Sequence, residues 1–262
     1  MSLSTIEIQA QGAASWVWLN RPEVHNAFDE TVIQELTEAL LRIDEDADSR
    51  AIVIAGRGKS FSAGGDLNWM KRQGQASMEQ NLADARKMAE LFRVMSECGK
   101  PTIARVHGAA MGGGLGIAAA CDICVASTQA IFATSEVRLG LLPGVISPYV
   151  IRAIGERQAY RYFQTAERIT AQRAHQIGLV HEVATPEELD QAVQKIIDAL
   201  MLGGPASQKA STELIRAVAN RPLDAAVIEE CAKRIATLRA GDEAKEGLTA
   251  FLEKRAPNWG GS

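Results

Sequence analysis

The order of its apolar segments constrains this chain more than any single motif. Thr5-Ile6-Glu7-Ile8 alternates and Trp16-Val17-Trp18-Leu19 is apolar, with Gly12 between them, which predicts a β-hairpin ended by Arg21-Pro22. Asp29 then caps an expected helix carrying Val32, Ile33, Leu36, Leu40 and Ile43 on one face. Ala51-Ile52-Val53-Ile54-Ala55 has the length and β-branched centre of a buried strand. A Gly- and Ser-rich loop runs from Gly56 to Asp66. A helix follows over Ser77 to Glu97, with Leu82, Met88, Leu91, Phe92 and Met95 as core candidates. Pro101 to Val106 is a further strand. An Ala-rich helix after a glycine run, a strand at Ile123 to Ala126 and a short strand at Ile131-Phe132 come next. From Ser147 the pattern is helical, apart from a short strand at Leu179 to Val183, and a helix cap is expected at Pro205-Ala206-Ser207. Strands alternating with helices, then helices alone, predict an α/β domain with a helical C-terminal section, the join lying near residues 185–205.

Composition fits this reading and narrows the function classes. The chain has 262 residues, 47% apolar and 23% charged, close to globular averages. A chain of this length buries about 70–75% of its unfolded surface without disulfide or metal staples. Its net charge of −4 argues against nucleic-acid binding by charge. Val106–Cys121 and Leu139–Ile151 lack charged residues but are too short to span a bilayer, so no membrane partner is expected. Met1 to Gln11 has neither the basic nor the apolar region of a secretory signal, so a cytoplasmic location with reduced thiols is expected.

Two glycine-rich segments carry the first chemical signal. Phe61-Ser62-Ala63-Gly64-Gly65-Asp66 follows a buried strand, where α/β folds place ligand loops, although it also reads as a flexible turn. Gly112-Gly113-Gly114 lies between a strand and a helix, where free N–H groups and the helix dipole favour an anion. Two such loops suggest a pair of donors for one oxygen, an oxyanion hole that stabilises an enolate or a tetrahedral oxyanion. Gly114-x-Gly116-x-x-Ala119 also matches a dinucleotide fingerprint, with Glu136 twenty residues on. That fingerprint wants the acid at the end of the next strand, which ends near Ala126, so no nicotinamide cofactor is expected. Glu136 stands among apolar neighbours, which suits either a carboxyl of raised pKa or a carboxylate paired with Arg138. Cys121-x-x-Cys124 has redox spacing, but no second pair and no nearby His complete a metal site, so buried inert thiols are the simpler reading. His25, His107, His175 and His181 are scattered, and no metal is expected.

Taken in order, these segments resemble the crotonase family, the enoyl-CoA hydratase/isomerase superfamily. The matching pieces are Leu19-Asn20-Arg21-Pro22 with Asn26-Ala27, then Phe61 to Asp66, Lys100 to Ala104 and Gly108 to Gly114. Ala120 to Ile123, Leu139 to Gly144, Gly178-Leu179-Val180 and Phe251 to Arg255 follow, so that the set covers essentially the whole chain. The resemblance implies a spiral of ββα turns over residues 1–195 and a helical trimerisation section over 196–262, assembled as a homotrimer or a dimer of trimers. It implies an acyl-CoA thioester substrate, with no cofactor besides the coenzyme A that the substrate carries. The thioester oxygen would be held by the N–H groups of Gly65 and Gly113. Val24, His25, Ala63, Gly64, Asp66 and Leu67 would lie along the coenzyme. Gly144 would stand near the reacting carbons, and Phe251 and Lys254 would reach the nucleotide of a neighbouring subunit.

Two departures bear on the reaction. The hydratases of the family carry two glutamates; the second matches Glu136, and the first falls on Gly116, a substrate-site position. A single base suits the family's Δ3,Δ2-enoyl-CoA isomerases, or a member that binds coenzyme A without turnover. The loop Val145-Ile146-Ser147-Pro148-Tyr149-Val150, with Ser135-Glu136-Val137-Arg138, is similar to a bacterial subgroup of methylglutaconyl-CoA hydratases of leucine and isovalerate breakdown. A hydratase is therefore the first expectation, with Arg138 as a candidate partner for a distal substrate carboxylate.

Overall fold

The computed structural model describes residues 3–259. The chain opens with β1 (Ile6–Gln11) and β2 (Ala14–Leu19), an antiparallel hairpin that turns at Gly12 with φ of 58°. α1 (Glu30–Glu45) starts where the Asp29 carboxylate accepts from the N–H groups of Thr31 and Val32. It buries Val32, Ile33, Leu36, Leu40 and Ile43, the expected face. β3 (Ala51–Gly56) is buried at every residue. α2 (Leu67–Gln73), α3 (Met78–Glu97), β4 (Thr102–Val106), β5 (Ala109–Met111) and α4 (Gly113–Ala120) follow. The order continues with β6 (Ile123–Ser127), β7 (Ile131–Ala133), α5 (Ser147–Thr165), β8 (Ile169–Thr170), α6 (Ala171–Gln176), β9 (Glu182–Ala184) and α7 (Leu189–Met201).

Two sheets result. One has six strands in the order β1-β2-β3-β4-β6-β9, parallel from β2 onward; the other has the order β5-β7-β8. Each repeat of the chain sends one strand to each sheet and then a helix: β4, β5, α4, and again β6, β7, α5. This is the expected spiral of ββα turns. The core between the layers includes Phe28, Phe61, Phe92, Phe132, Leu36 and Ile54, all fully buried, and such side chains contribute about 1.5–3 kcal/mol each.

Two local expectations need revision, and three short elements were not expected. α2 was not expected; its start is the Asp66 side chain, which accepts from the N–H groups of Asn68 and Trp69. Leu82 is exposed rather than core, because the inward stripe of α3 runs through 81, 84, 85, 88, 91, 92 and 95, and Leu82 points away from it. The strand expected over Leu179 to Val183 is β9, at Glu182–Ala184. The N–H groups of Leu179 and Val180 are taken by Ala174 at the end of α6, so pairing with β6 begins only at His181. β5 and β8 had no counterpart in the sequence reading.

The chain divides into two compact units, with the boundary in the sequence between Ile197 and Asp198. The second holds the end of α7 with α8 (Pro205–Val218), α9 (Ala225–Ala240) and α10 (Asp242–Leu252). α8 begins where a cap was expected, with Pro205 in its first turn, and the Glu243 carboxylate accepts from the N–H groups of Ala206 and Ser207.

Candidate active site

The two glycine segments meet in space. Ser62 and Ala110 form a parallel bridge, in which the Ser62 N–H donates to Ala109 and the Ser62 carbonyl accepts from Met111. The first loop is fixed on its other side by Phe28, whose N–H donates to Gly64 and whose carbonyl accepts from Asp66. That pairing skips the Gly65 N–H. Gly113 is the first residue of α4, so its N–H has no partner within the helix. Among the described residues neither N–H has a protein acceptor. Both glycines line one cavity of about 810 Å³, together with Ala63, Gly64, Gly112 and Glu136.

Glu136 reaches this cavity from a short 3-10 turn, Glu136–Leu139, that follows β7. The turn is closed by Gly140 at φ of 72°, a left-handed conformation that suits glycine. Gly112 has φ of 49°, and a Cβ there would stand 3.3 Å from the Glu136 Oε1 and 3.9 Å from the Gly64 Cα. The bare backbone at 112 thus lets the carboxyl and both loops approach one another. Burial pushes the Glu136 carboxyl above its ordinary value, and a backbone hydrogen bond of its own residue offsets part of the rise. Its Oε2 is buried and has no hydrogen-bond partner. A protonatable group beside two unpaired N–H donors is equipped to move a proton next to an oxygen that takes up negative charge.

The family described as "Enoyl-CoA hydratase/isomerase" matches residues 9–262. The chain belongs to this family. A crystal structure of an enoyl-CoA hydratase from Shewanella pealeana has a TM-score of 0.96 at 41% identity, over 98% of this chain and 96% of that chain. The short-chain-enoyl-CoA hydratase of Clostridium acetobutylicum is 33% identical over 261 residues, 97% of each chain. The crotonyl-CoA hydratase of Syntrophomonas wolfei is 33% identical over 261 residues, 99% of each.

Position 116, where the resemblance puts the first glutamate of the hydratases, is closed. Gly116 is buried in α4 and does not line the cavity. A Cβ there would lie 2.3 Å from the Ile146 Cγ2 and 2.9 Å from the Phe92 Cζ, so Ile146 and Phe92 occupy the space a longer side chain would need. Leu67 and Gly144 line the cavity, as does the rest of the loop from Leu139 to Ile146. Val24 and His25 do not, but the His25 carbonyl accepts from the Ala63 N–H, which puts that turn against the first glycine loop. Asp66 also lies outside the lining. Its carboxylate caps α2 and pairs with Arg21 at 3.1 Å. Burial alone would raise it, yet the N–H groups of Trp69 and Asn68 and the Arg21 guanidinium hold it below its ordinary value. Arg138 is exposed and lies outside the lining. Phe251 and Lys254 belong to the second unit, Phe251 being exposed.

Some cavity residues had no place in the sequence reading, and Met88, read there only as core, also lines the cavity. Asn81, Asp84 and Ala85 share its face of α3, and Trp69 and Met70 come from α2. The signal for the α3 residues was their place on the stripe that continues as Leu91, Phe92 and Met95. Cys121 and Cys124 are buried, and burial pushes the Cys124 thiol up to about 12, far from the range in which a thiolate reacts.

Proposed function

We propose that the protein is an enoyl-CoA hydratase that adds water across the C2–C3 double bond of an acyl-CoA thioester. The observation that carries this reading is the cavity in which the protonatable Glu136 stands beside the unpaired N–H groups of Gly65 and Gly113. In this reading the thioester oxygen sits between those two N–H groups. Attack at C3 turns it into an enolate oxygen, and the two donors strengthen as charge builds. Glu136 in its acid form then hands a proton to C2. The coenzyme runs along Ala63, Leu67 and the Val24–His25 turn, and the acyl chain enters the apolar wall of Leu139, Leu141, Leu142, Val145 and Ile146. No separate cofactor takes part.

Within that class we infer methylglutaconyl-CoA as the substrate, in leucine or isovalerate degradation, from the resemblance of residues 135–138 and 145–150 to that subgroup. No Lys, Arg or His lines the cavity among the described residues, so the side chains of Asn81, Gln73 and Ser135, rather than Arg138, are the donors on offer to a distal carboxylate. We further propose a cytoplasmic homotrimer or dimer of trimers, in which Phe251 and Lys254 approach the nucleotide of a neighbouring subunit.

A specific observation favours a second reading. With Gly116 closed off, one glutamate stands at the hole, and one suffices for a Δ3,Δ2-enoyl-CoA isomerase. Incubation with crotonyl-CoA, methylglutaconyl-CoA and a 3-enoyl-CoA, each followed by product mass, separates the two. A 2-enoyl substrate that gains the mass of one water supports the hydratase. A 3-enoyl substrate converted at constant mass, with the 2-enoyl substrates inert, supports the isomerase.

A further inference from the structure

Hydration needs a group that takes a proton from water, and Glu136 is occupied in giving one to C2. The obvious candidates are committed elsewhere. Asp66 caps α2 and holds Arg21. Glu90 and Glu97 both engage Arg93 on the exposed side of α3. Position 116 has no side chain and no room for one. Among the described residues that line the cavity, the ionisable groups are Glu136 and Asp84.

Asp84 is placed for the task. It is half-buried on α3, and its carboxylate has no hydrogen bond or ion pair to another described residue. It lies four residues before Met88, so the two are neighbours on one face of the helix. The Met88 Cε is 2.9 Å from where a Cβ of Gly113 would stand, so Met88 packs directly on the glycine that offers the unpaired N–H. Asp84 is therefore one helical turn from the floor of the hole, on the α3 wall, while Glu136 approaches from the turn after β7. Asn81, one turn earlier on the same wall, supplies an amide beside it.

We propose that the Asp84 carboxylate is the water-activating base, replacing the glutamate that is absent at position 116. The proposal rests on the hydratase reading above. As the water oxygen bonds to C3, its proton passes to Asp84. The C2–C3 π pair becomes the C1–C2 double bond of the enolate as the carbonyl π pair moves onto the thioester oxygen between Gly65 and Gly113; Glu136 then protonates C2 and the carbonyl re-forms. One water is consumed, Asp84 ends protonated and Glu136 ionised, and proton exchange with solvent restores both.

The test uses two reactions of the full-length protein. Hydration of a 2-enoyl-CoA needs both carboxylates. Exchange of the C2 hydrogen of a saturated acyl-CoA in D₂O needs only Glu136 and the hole. Asp84→Asn is expected to lower kcat for hydration by about 10²–10⁴-fold while C2 exchange persists within about threefold, and Asp84→Glu is expected to recover part of the hydration. Hydration by Asp84→Asn at the wild-type rate would overturn the proposal. So would a parallel loss of hydration and exchange, which would mark Asp84 as structural. Wild-type protein that supports neither reaction would instead overturn the hydratase reading, and this proposal with it.

Discussion

Glu136 combines a buried, unpartnered carboxyl oxygen with a raised proton affinity, and this has a consequence for stability. A carboxyl that holds its proton more tightly folded than unfolded lowers stability as pH rises from its ordinary value of 4.5 through the raised one, because the folded state must ionise a buried group. Above both values the cost is constant, and below both it vanishes. Glu136→Gln removes the titration. The variant is therefore expected to gain stability relative to wild type as pH rises above 4.5, measured by urea unfolding at acidic and neutral pH. A difference that stays flat across that rise would contradict the burial argument. The two glycine segments were legible as a candidate oxyanion hole because each joins a strand to a loop or helix start with free N–H groups, whereas Glu136 read equally well as an ion-paired carboxylate until the resemblance gave it a role. Asp84 was not legible, because a lone acid on a helix reads as solvated surface until the tertiary fold turns that face toward a cavity.

The helices show why one motif position cannot simply be restored. α4 is buried along its whole length, and Ile146, at the start of α5, fills the space above Gly116. Gly116→Glu is expected to destabilise the protein by about 1–3 kcal/mol or more through overpacking, and Ile146→Ala in the same chain to return part of that loss; chemical denaturation of the single and double variants measures both. Full stability of the single variant would show that the site yields more than its packing suggests. At the start of α1, Asp29 accepts two backbone N–H groups, so Asp29→Ala is expected to cost about 1 kcal/mol, readable as a lower unfolding midpoint. α1, β3 and α3 were legible because they are long and strongly patterned. β5 and β8, with three and two residues, are too short to carry a period, and they exist because neighbouring strands pair with them.

The second unit leaves apolar surface in the single chain. α8 has no buried residue, and Leu202, Ile215, Leu223, Ile228 and Leu248 are exposed. Exposed apolar residues concentrated in one unit suit an interaction face. It supports the proposed assembly: light scattering is expected to give the mass of three or six chains, and a monomer at micromolar concentration would contradict it. The α/β domain with its helical end was legible from the order of segments, whereas the spiral, and the expectation that residues 196–262 join copies, came only with the family resemblance, since a helix facing another chain shows the same pattern as one facing its own core. Among the described residues no helix is long and apolar enough to cross a membrane. The account as a whole depends on Glu136 acting beside the Gly65 and Gly113 N–H groups. Its most direct test is the rate of water addition to a 2-enoyl-CoA by Glu136→Gln, with the product identified by mass. A fall in kcat of about 10²–10⁴-fold in a folded variant is the expected result. Hydration at the wild-type rate would contradict it.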